Sequence, residues 1–161
     1  MSYKCHCCGE IHQDLPDIGI DKPFLATEIL EEDWPGRVEL TADTCIIDGK
    51  DFFIRGVLII PVHEDENGLG FGVWVSQKKE NFQTYVENSD SAEIGPYFGW
   101  FANELGPYAP TLSLKTMAHF QGNNQRPLIE LEPTDHPLSI DYQNGISIER
   151  AWEIVHEYMP A

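Results

Sequence analysis

The stretch Thr44-Cys45-Ile46-Ile47-Asp48-Gly49-Lys50-Asp51-Phe52-Phe53-Ile54-Arg55-Gly56-Val57-Leu58-Ile59-Ile60-Pro61-Val62 decides the fold class. Two apolar runs flank Asp48-Gly49, a pair that tolerates positive φ, and that pattern predicts a β-hairpin. In the second run Phe52, Ile54, Leu58, Ile60 and Val62 share one face at period two. Phe53, Arg55, Val57 and Ile59 share the other, so both faces are largely apolar and the strand is expected to be central. An acidic turn, Glu64-Asp65-Glu66-Asn67-Gly68, leads to a third strand over residues 69–76, completing an antiparallel meander. Gly70 and Gly72 inside that strand predict a bulge or a closely packed neighbour.

Working outward, residues 80–86 space Phe82, Tyr85 and Val86 as a short helix docked on the sheet. The aromatic run Pro96-Tyr97-Phe98-Gly99-Trp100-Phe101 fits a strand or a helix. Residues 112–120 and 128–132 read as a second hairpin, and residues 138–142 as one more short strand. Ser147 is placed to cap a C-terminal helix, whose stripe of Ile148, Ala151, Trp152, Val155 and Tyr158 is expected to face the sheet. The fold expected is α+β in a single domain spanning residues 1–161. It comprises a cysteine knuckle and Pro-punctuated segment (1–36), a mainly β portion forming a curved antiparallel sheet (37–142), and the helix (147–159).

Charge narrows the function classes. The 161 residues carry 27 Asp and Glu against 10 Lys and Arg, a formal net charge of −17. Such a surface repels phosphate backbones, which argues against direct nucleic-acid binding, and it steers a basic protein partner into encounter. No apolar run reaches the length of a membrane span, and Met1-Ser2-Tyr3-Lys4 lacks the apolar core of a signal peptide. A reducing, cytoplasmic setting is therefore expected, in which clustered cysteines serve as metal ligands or redox groups more often than as disulfides.

That expectation bears on Cys5-His6-Cys7-Cys8-Gly9, with His12 behind it. Thiolates at i and i+3 around a glycine turn can hold one Zn²⁺, and a tetrahedral structural site needs two further ligands. His12 lies within local reach, and Cys45 in the strand before Asp48-Gly49 can supply the fourth, giving a site of Cys5, Cys8, His12 and Cys45. Cys7 and His6 compete as ligands, and reduced metal-free cysteines are the plain alternative. A thioredoxin-type redox pair fits less well, because no strand precedes the motif.

Four residues could bind a ligand or catalyse. Arg55 interrupts an apolar strand face, and a buried arginine needs a carboxylate partner or an anionic ligand. The many Asp and Glu residues make a structural ion pair its simpler role. If Phe120 lies opposite Pro127 in the second hairpin, Lys115 faces Glu132 and His119 lies diagonal to Glu130, within side-chain reach. A histidine beside a carboxylate is a possible general base, and equally an ordinary charge pair on a wet sheet face. His136 sits in the turn Asp135-His136-Pro137. There is no P-loop, no dinucleotide fingerprint and no H-E-x-x-H zinc motif.

Several strings occur together in order: Cys5 to Gly9 with His12, Phe53-Ile54-Arg55-Gly56, Gly72-Val73-Trp74-Val75-Ser76, Pro96-Tyr97-Phe98-Gly99-Trp100, and Arg126-Pro127-Leu128-Ile129-Glu130-Leu131-Glu132-Pro133-Thr134-Asp135-His136-Pro137-Leu138. In that spacing the chain resembles, nearly end to end, the bacterial family catalogued as domain of unknown function 2199. The resemblance implies a bacterial, cytosolic, single-domain protein, and this chain departs from the pattern in carrying Cys7 inside the knuckle. The leading functional expectation is a non-enzymatic, acidic protein-binding domain with a structural zinc knuckle. One concrete form is an immunity- or antitoxin-like inhibitor of a basic partner. The alternatives are a small enzyme or anionic-ligand binder using Arg55, His119, Glu130 and His136, and a structural zinc protein without activity.

Overall fold

The computed structural model describes residues 14–112 and 114–158 in full, and residues 3–4 and 11–12 by their backbone. Tyr3–Lys4 (β1) pairs antiparallel with Ile11–His12 (β2) in a small ladder of its own. Ile18–Gly19 (β3) and the short helix Phe24–Thr27 (α1) follow, then Val38–Leu40 (β4) and Thr44–Ile47 (β5). Asp51–Val62 (β6) and Asp65–Gln77 (β7) are the long strands. Lys79–Glu87 (α2) leads through a loop to Tyr97–Trp100 (β8), Lys115–His119 (β9) and Leu128–Leu131 (β10). Pro137–Asn144 (α3) and Ile148–Tyr158 (α4) close the described chain.

The hairpin that decides the fold forms as its residues dictate. Asp48 and Gly49 adopt φ of 55° and 65°, and β5 pairs antiparallel with β6 from Ile47↔Asp51 to Thr44↔Ile54. The turn after β6 is tighter than the acidic stretch suggested, because β7 starts at Asp65. The register slips between Ile60 and Val62, at Pro61, which has no N–H to give to a ladder. Gly70 and Gly72 do mark packed neighbours. A Cβ on Gly70 would meet the Asp17 carboxylate at 2.6 Å, and one on Gly72 would lie 3.6 Å from Gly19 Cα.

The expected antiparallel sheet is corrected to a mixed one. Among the described residues the eight-stranded sheet runs β3-β7-β6-β10-β9-β8, with β5 also on β6 and β4 on β5. Two of its pairings are parallel, β3 with β7 and β10 with β6. A parallel neighbour needs a long crossover, and the chain between β6 and β10 supplies one. Gly56 then decides the fit: Ile129 Cδ1 lies 2.5 Å from where a Gly56 Cβ would stand, so only glycine lets β10 close on β6. The aromatic run is a strand, β8, with an isolated bridge Val75↔Phe101 that brings the chain back to the far end of β7 without closing the sheet.

Residues 138–142, expected as a strand, are helical in α3. Leu138, Ile140 and Tyr142 alternate, yet Pro137 occupies the first turn and His136 Nδ1 accepts a hydrogen bond from Leu138 N at 3.0 Å. α4 forms where expected, with Ile154 added to its buried side and Ile148 and Tyr158 only partly buried. Ser147 Oγ accepts from Arg150 N at 3.1 Å, the Glu64 carboxylate accepts from Ile148 N at 2.6 Å, and Ala151, Trp152, Ile154 and Val155 are buried.

The main core lies between one sheet face and the helices. Phe52, Ile54, Leu58, Ile60 and Val62 of β6 meet Phe82 and Tyr85 of α2, Leu138 of α3 and the buried side of α4. A second, smaller cluster of Ala26, Cys45, Ile47, Phe53, Trp74 and Ala102 covers part of the opposite face, with Ile29 and Trp34 packed against it. The segment before β4 therefore supplies a lid over that face. Among the described residues, no helix covers the remainder of the outer face, along β8, β9 and β10.

Candidate functional site

On that uncovered face the alternation of each strand sets what is presented. β8 turns Phe98 and Trp100 outward, 39% and 44% exposed, while Phe101 just beyond it is buried at 1%. Phe98 and Trp100 meet edge to face at 5.0 Å and 87°. Across the ladders Phe98 stands opposite Met117 and Trp100 opposite Lys115, and β10 adds exposed Leu128 and Glu130. Large aromatic side chains left in solvent on a sheet face are an unusual use of apolar area.

The two rings form a ridge between three clefts. One of about 470 Å³ lies between Trp100 and α1, lined by Phe24, Leu25, Glu28, Phe53 and Leu112 among others. A second of about 340 Å³ lies beside Phe98, where Met117 and Pro133 form apolar wall and Lys115, Glu130 and Glu132 the polar rim. A third, also about 340 Å³, lies on the side of Lys50, Asp51 and Lys78.

The candidate ligand-binding residues separate into three places. His119 and Glu130 come together, Nε2 to Oε1 at 2.8 Å, in the register the sequence suggested, with Leu128 opposite His119. Their side chains are 46% and 54% exposed, which makes the pair a surface contact open to water. His136 uses both ring nitrogens at the start of α3. Nε2 lies 2.7 Å from the Pro110 carbonyl, so it carries the proton and donates, while Nδ1 caps Leu138 N.

Arg55 departs from the expected ion pair. Its guanidinium sits 5.7 Å over the Trp74 ring, Nη1 donates to the Ala42 carbonyl at 3.4 Å, and Nε is buried with no hydrogen-bond partner. The nearby carboxylate of Asp43 pairs with Arg126 instead, at 2.8 Å. Burial pushes the Arg55 pKa down, the positive charge of Arg126 pushes the same way, and Asp21 and Asp43 oppose them.

Of the proposed zinc ligands, Cys5 and Cys8 lie outside the described residues, as does the His12 side chain. Cys45 is fully buried among apolar side chains, and burial raises its thiol to about 11. No group of three or more His, Cys, Asp or Glu that could hold a metal ion occurs among the described residues. No helix among them is long and apolar enough to cross a membrane.

Sequence reasoning passed over Phe98, Trp100 and Arg126. The period-two alternation in Tyr97-Phe98-Gly99-Trp100-Phe101 held the signal for the first two, masked by a spacing that also suited a helix. Fold and surface together define an α+β protein with a mixed sheet, one face of which is packed and the other partly open. The chain belongs to the family described as "Uncharacterized protein conserved in bacteria (DUF2199)", whose model matches residues 4–146. No curated protein and no solved structure matches it.

Proposed function

We propose that the chain is a non-enzymatic binding domain that takes a basic protein partner on the open sheet face, with the Phe98–Trp100 ridge as its anchor. The observation that carries the reading is this exposed aromatic pair set between clefts whose rims carry Glu28, Glu130 and Glu132 alongside Lys115. Aromatic anchors in a desolvated centre dominate binding energy, and carboxylates around them suit lysine and arginine. The net charge of −17 adds steering toward such a partner. An immunity- or antitoxin-like inhibitor covering the cationic site of a toxin is the concrete form proposed.

Capture at low salt from the source cell extract, followed by titration with the isolated partner, tests this. A basic protein is expected, and each truncation, Phe98→Ala or Trp100→Ala, is expected to cost about 2 kcal/mol, roughly 30-fold in Kd. Raising the salt is expected to slow association. A captured protein that binds the double variant as well as the unmodified chain would end the proposal.

A structural Zn²⁺ also remains a proposal. The enclosure of Cys45 by Ala26, Ile47, Phe53, Trp74 and Ala102 favours a ligand set of Cys5, Cys8 and His12 completed by Cys7 or His6, with Cys45 as the alternative fourth ligand. Elemental analysis of chelator-free protein is expected to find about one zinc per chain, lost in Cys8→Ser and kept in Cys45→Ala. Zinc-free unmodified protein would remove the site altogether.

A further inference from the structure

We propose that Arg55 and Arg126 form a binding site for a small oxyanion, a phosphate or carboxylate group, on the outer face of the sheet beside β3. Because Leu128 of β10 is in register with Val57 of β6 and the pairing is parallel, Arg126 and Arg55 follow two residues earlier on the same side of neighbouring chains. Val57 N donates to the Pro127 carbonyl at 2.9 Å and holds that juxtaposition. Both guanidiniums lean on one acceptor, the Ala42 carbonyl, at 3.4 and 3.5 Å, each long for a hydrogen bond.

Two carboxylates, Asp21 and Asp43, lie close enough to act on Arg55, yet neither forms an ion pair with it. Asp43 accepts from Arg126 Nε at 2.8 Å, and Arg55 makes no ion pair among the described residues. Arg55 Nε is buried without a hydrogen-bond partner and Nη1 has only the long bond to the Ala42 carbonyl, so the guanidinium's donor capacity is under-used. The floor of the site is also made for the guanidinium. A Cβ on Gly19 would stand 3.1 Å from Arg55 Nη2, and one on Gly72 would stand 3.4 Å from Nε. Glycine at both positions leaves room for the guanidinium beside the Trp74 ring. Two forks of N–H donors held side by side fit the paired oxygens of a phosphate or carboxylate. In a chain of net charge −17, two adjoining cations with so few partners are a poor use of arginine unless an anion joins them.

The experiment follows the side-chain Nε–Hε resonances of ¹⁵N-labelled protein during titration with inorganic phosphate or acetate, at constant ionic strength against chloride. Saturable shifts of Arg55 and Arg126 are expected, with a midpoint on the order of millimolar. Saturation by phosphate alone or by acetate as well supports the site and names its group. Arg126→Gln, on a side chain 38% exposed, is expected to remain folded and to weaken the midpoint roughly tenfold or more. Arg55→Lys is expected to weaken it similarly. Absence of saturation with both anions, or an unchanged midpoint in Arg126→Gln, would overturn the site. Either result leaves the ridge at Phe98 and Trp100 to its own test.

Discussion

Gly99→Ala is expected to lower the unfolding midpoint sharply. Gly99 lies in β8 with its carbonyl accepting from Thr116 Oγ1 at 2.7 Å on one side and the end of β7 on the other. A Cβ there would run into the Ser76 carbonyl oxygen and stand 2.9 Å from Gln77 Nε2. The obstacle is backbone, tied down by the β6–β7 ladder through Phe53↔Ser76 and Phe52↔Gln77, so no side chain can swing aside. Relief requires β8 to move off β7, which breaks the Trp100 N to Ser76 Oγ and Gln77 Nε2 to Phe98 carbonyl bonds at 2.9 and 3.2 Å. A cost of about 4 kcal/mol or more is expected, a large share of the roughly 5–15 kcal/mol that holds an ordinary domain folded. Urea unfolding followed by far-UV circular dichroism measures it. Gly36→Ala is the contrast: nothing stands within 4 Å of that Cβ, and only the left-handed φ of 81° opposes it, at roughly 1–2 kcal/mol. Equal midpoints for the two variants would refute the steric account of Gly99.

Trp74→Ala is expected to cost about 3–5 kcal/mol, the range for deleting a fully buried large side chain. Trp74 has no exposed surface and sits at the centre of the second cluster. It is also where the N-terminal segment is fastened. Its indole N–H donates to the Ile20 carbonyl at 2.9 Å, its ring carries the Arg55 guanidinium, and its backbone N–H donates to Asn103 Oδ1 at 2.8 Å. Removing the ring leaves an unsatisfied carbonyl, a cavity beside Cys45 and Phe53, and a desolvated arginine without its stacking partner. Trp74→Phe separates the terms: it keeps apolar contact, loses the indole donor, and is expected to cost about 1–3 kcal/mol. The same unfolding measurement checks both. A loss below about 1 kcal/mol for Trp74→Ala would contradict the role assigned to the cluster.

Local chemistry made some of this legible before any coordinates. Asp48-Gly49 announced its turn because few residues accept positive φ, and Ser147 announced α4 because a free N–H there needs an acceptor. The register of β9 on β10 was readable too, since alternation and loop length leave few choices, and with it the contact between His119 and Glu130. What stayed hidden depends on residues far apart in sequence. The alternation of Leu138, Ile140 and Tyr142 imitated a strand, while the capping by His136 that makes α3 a helix has no period to detect. The parallel seat of β10 on β6 rests on a missing Cβ at Gly56, a fact about shape rather than pattern. Arg55 was visible as an anomaly. That its nearest cation would be Arg126, and that Asp43 would already be engaged, required the fold.

The short strands at the margins of the sheet have a consequence for how anything else can attach. β3 has two residues and β4 three, and the chain beyond β8 is bridged back onto β7. An unpaired margin of useful length is what lets a foreign segment extend a sheet, and here the long apolar strands β6 and β7 offer little of it. Recognition by strand addition is thereby disfavoured, as is the edge-to-edge pairing of copies that begins aggregation. A visitor must be read by side chains projecting from a surface whose backbone is already committed.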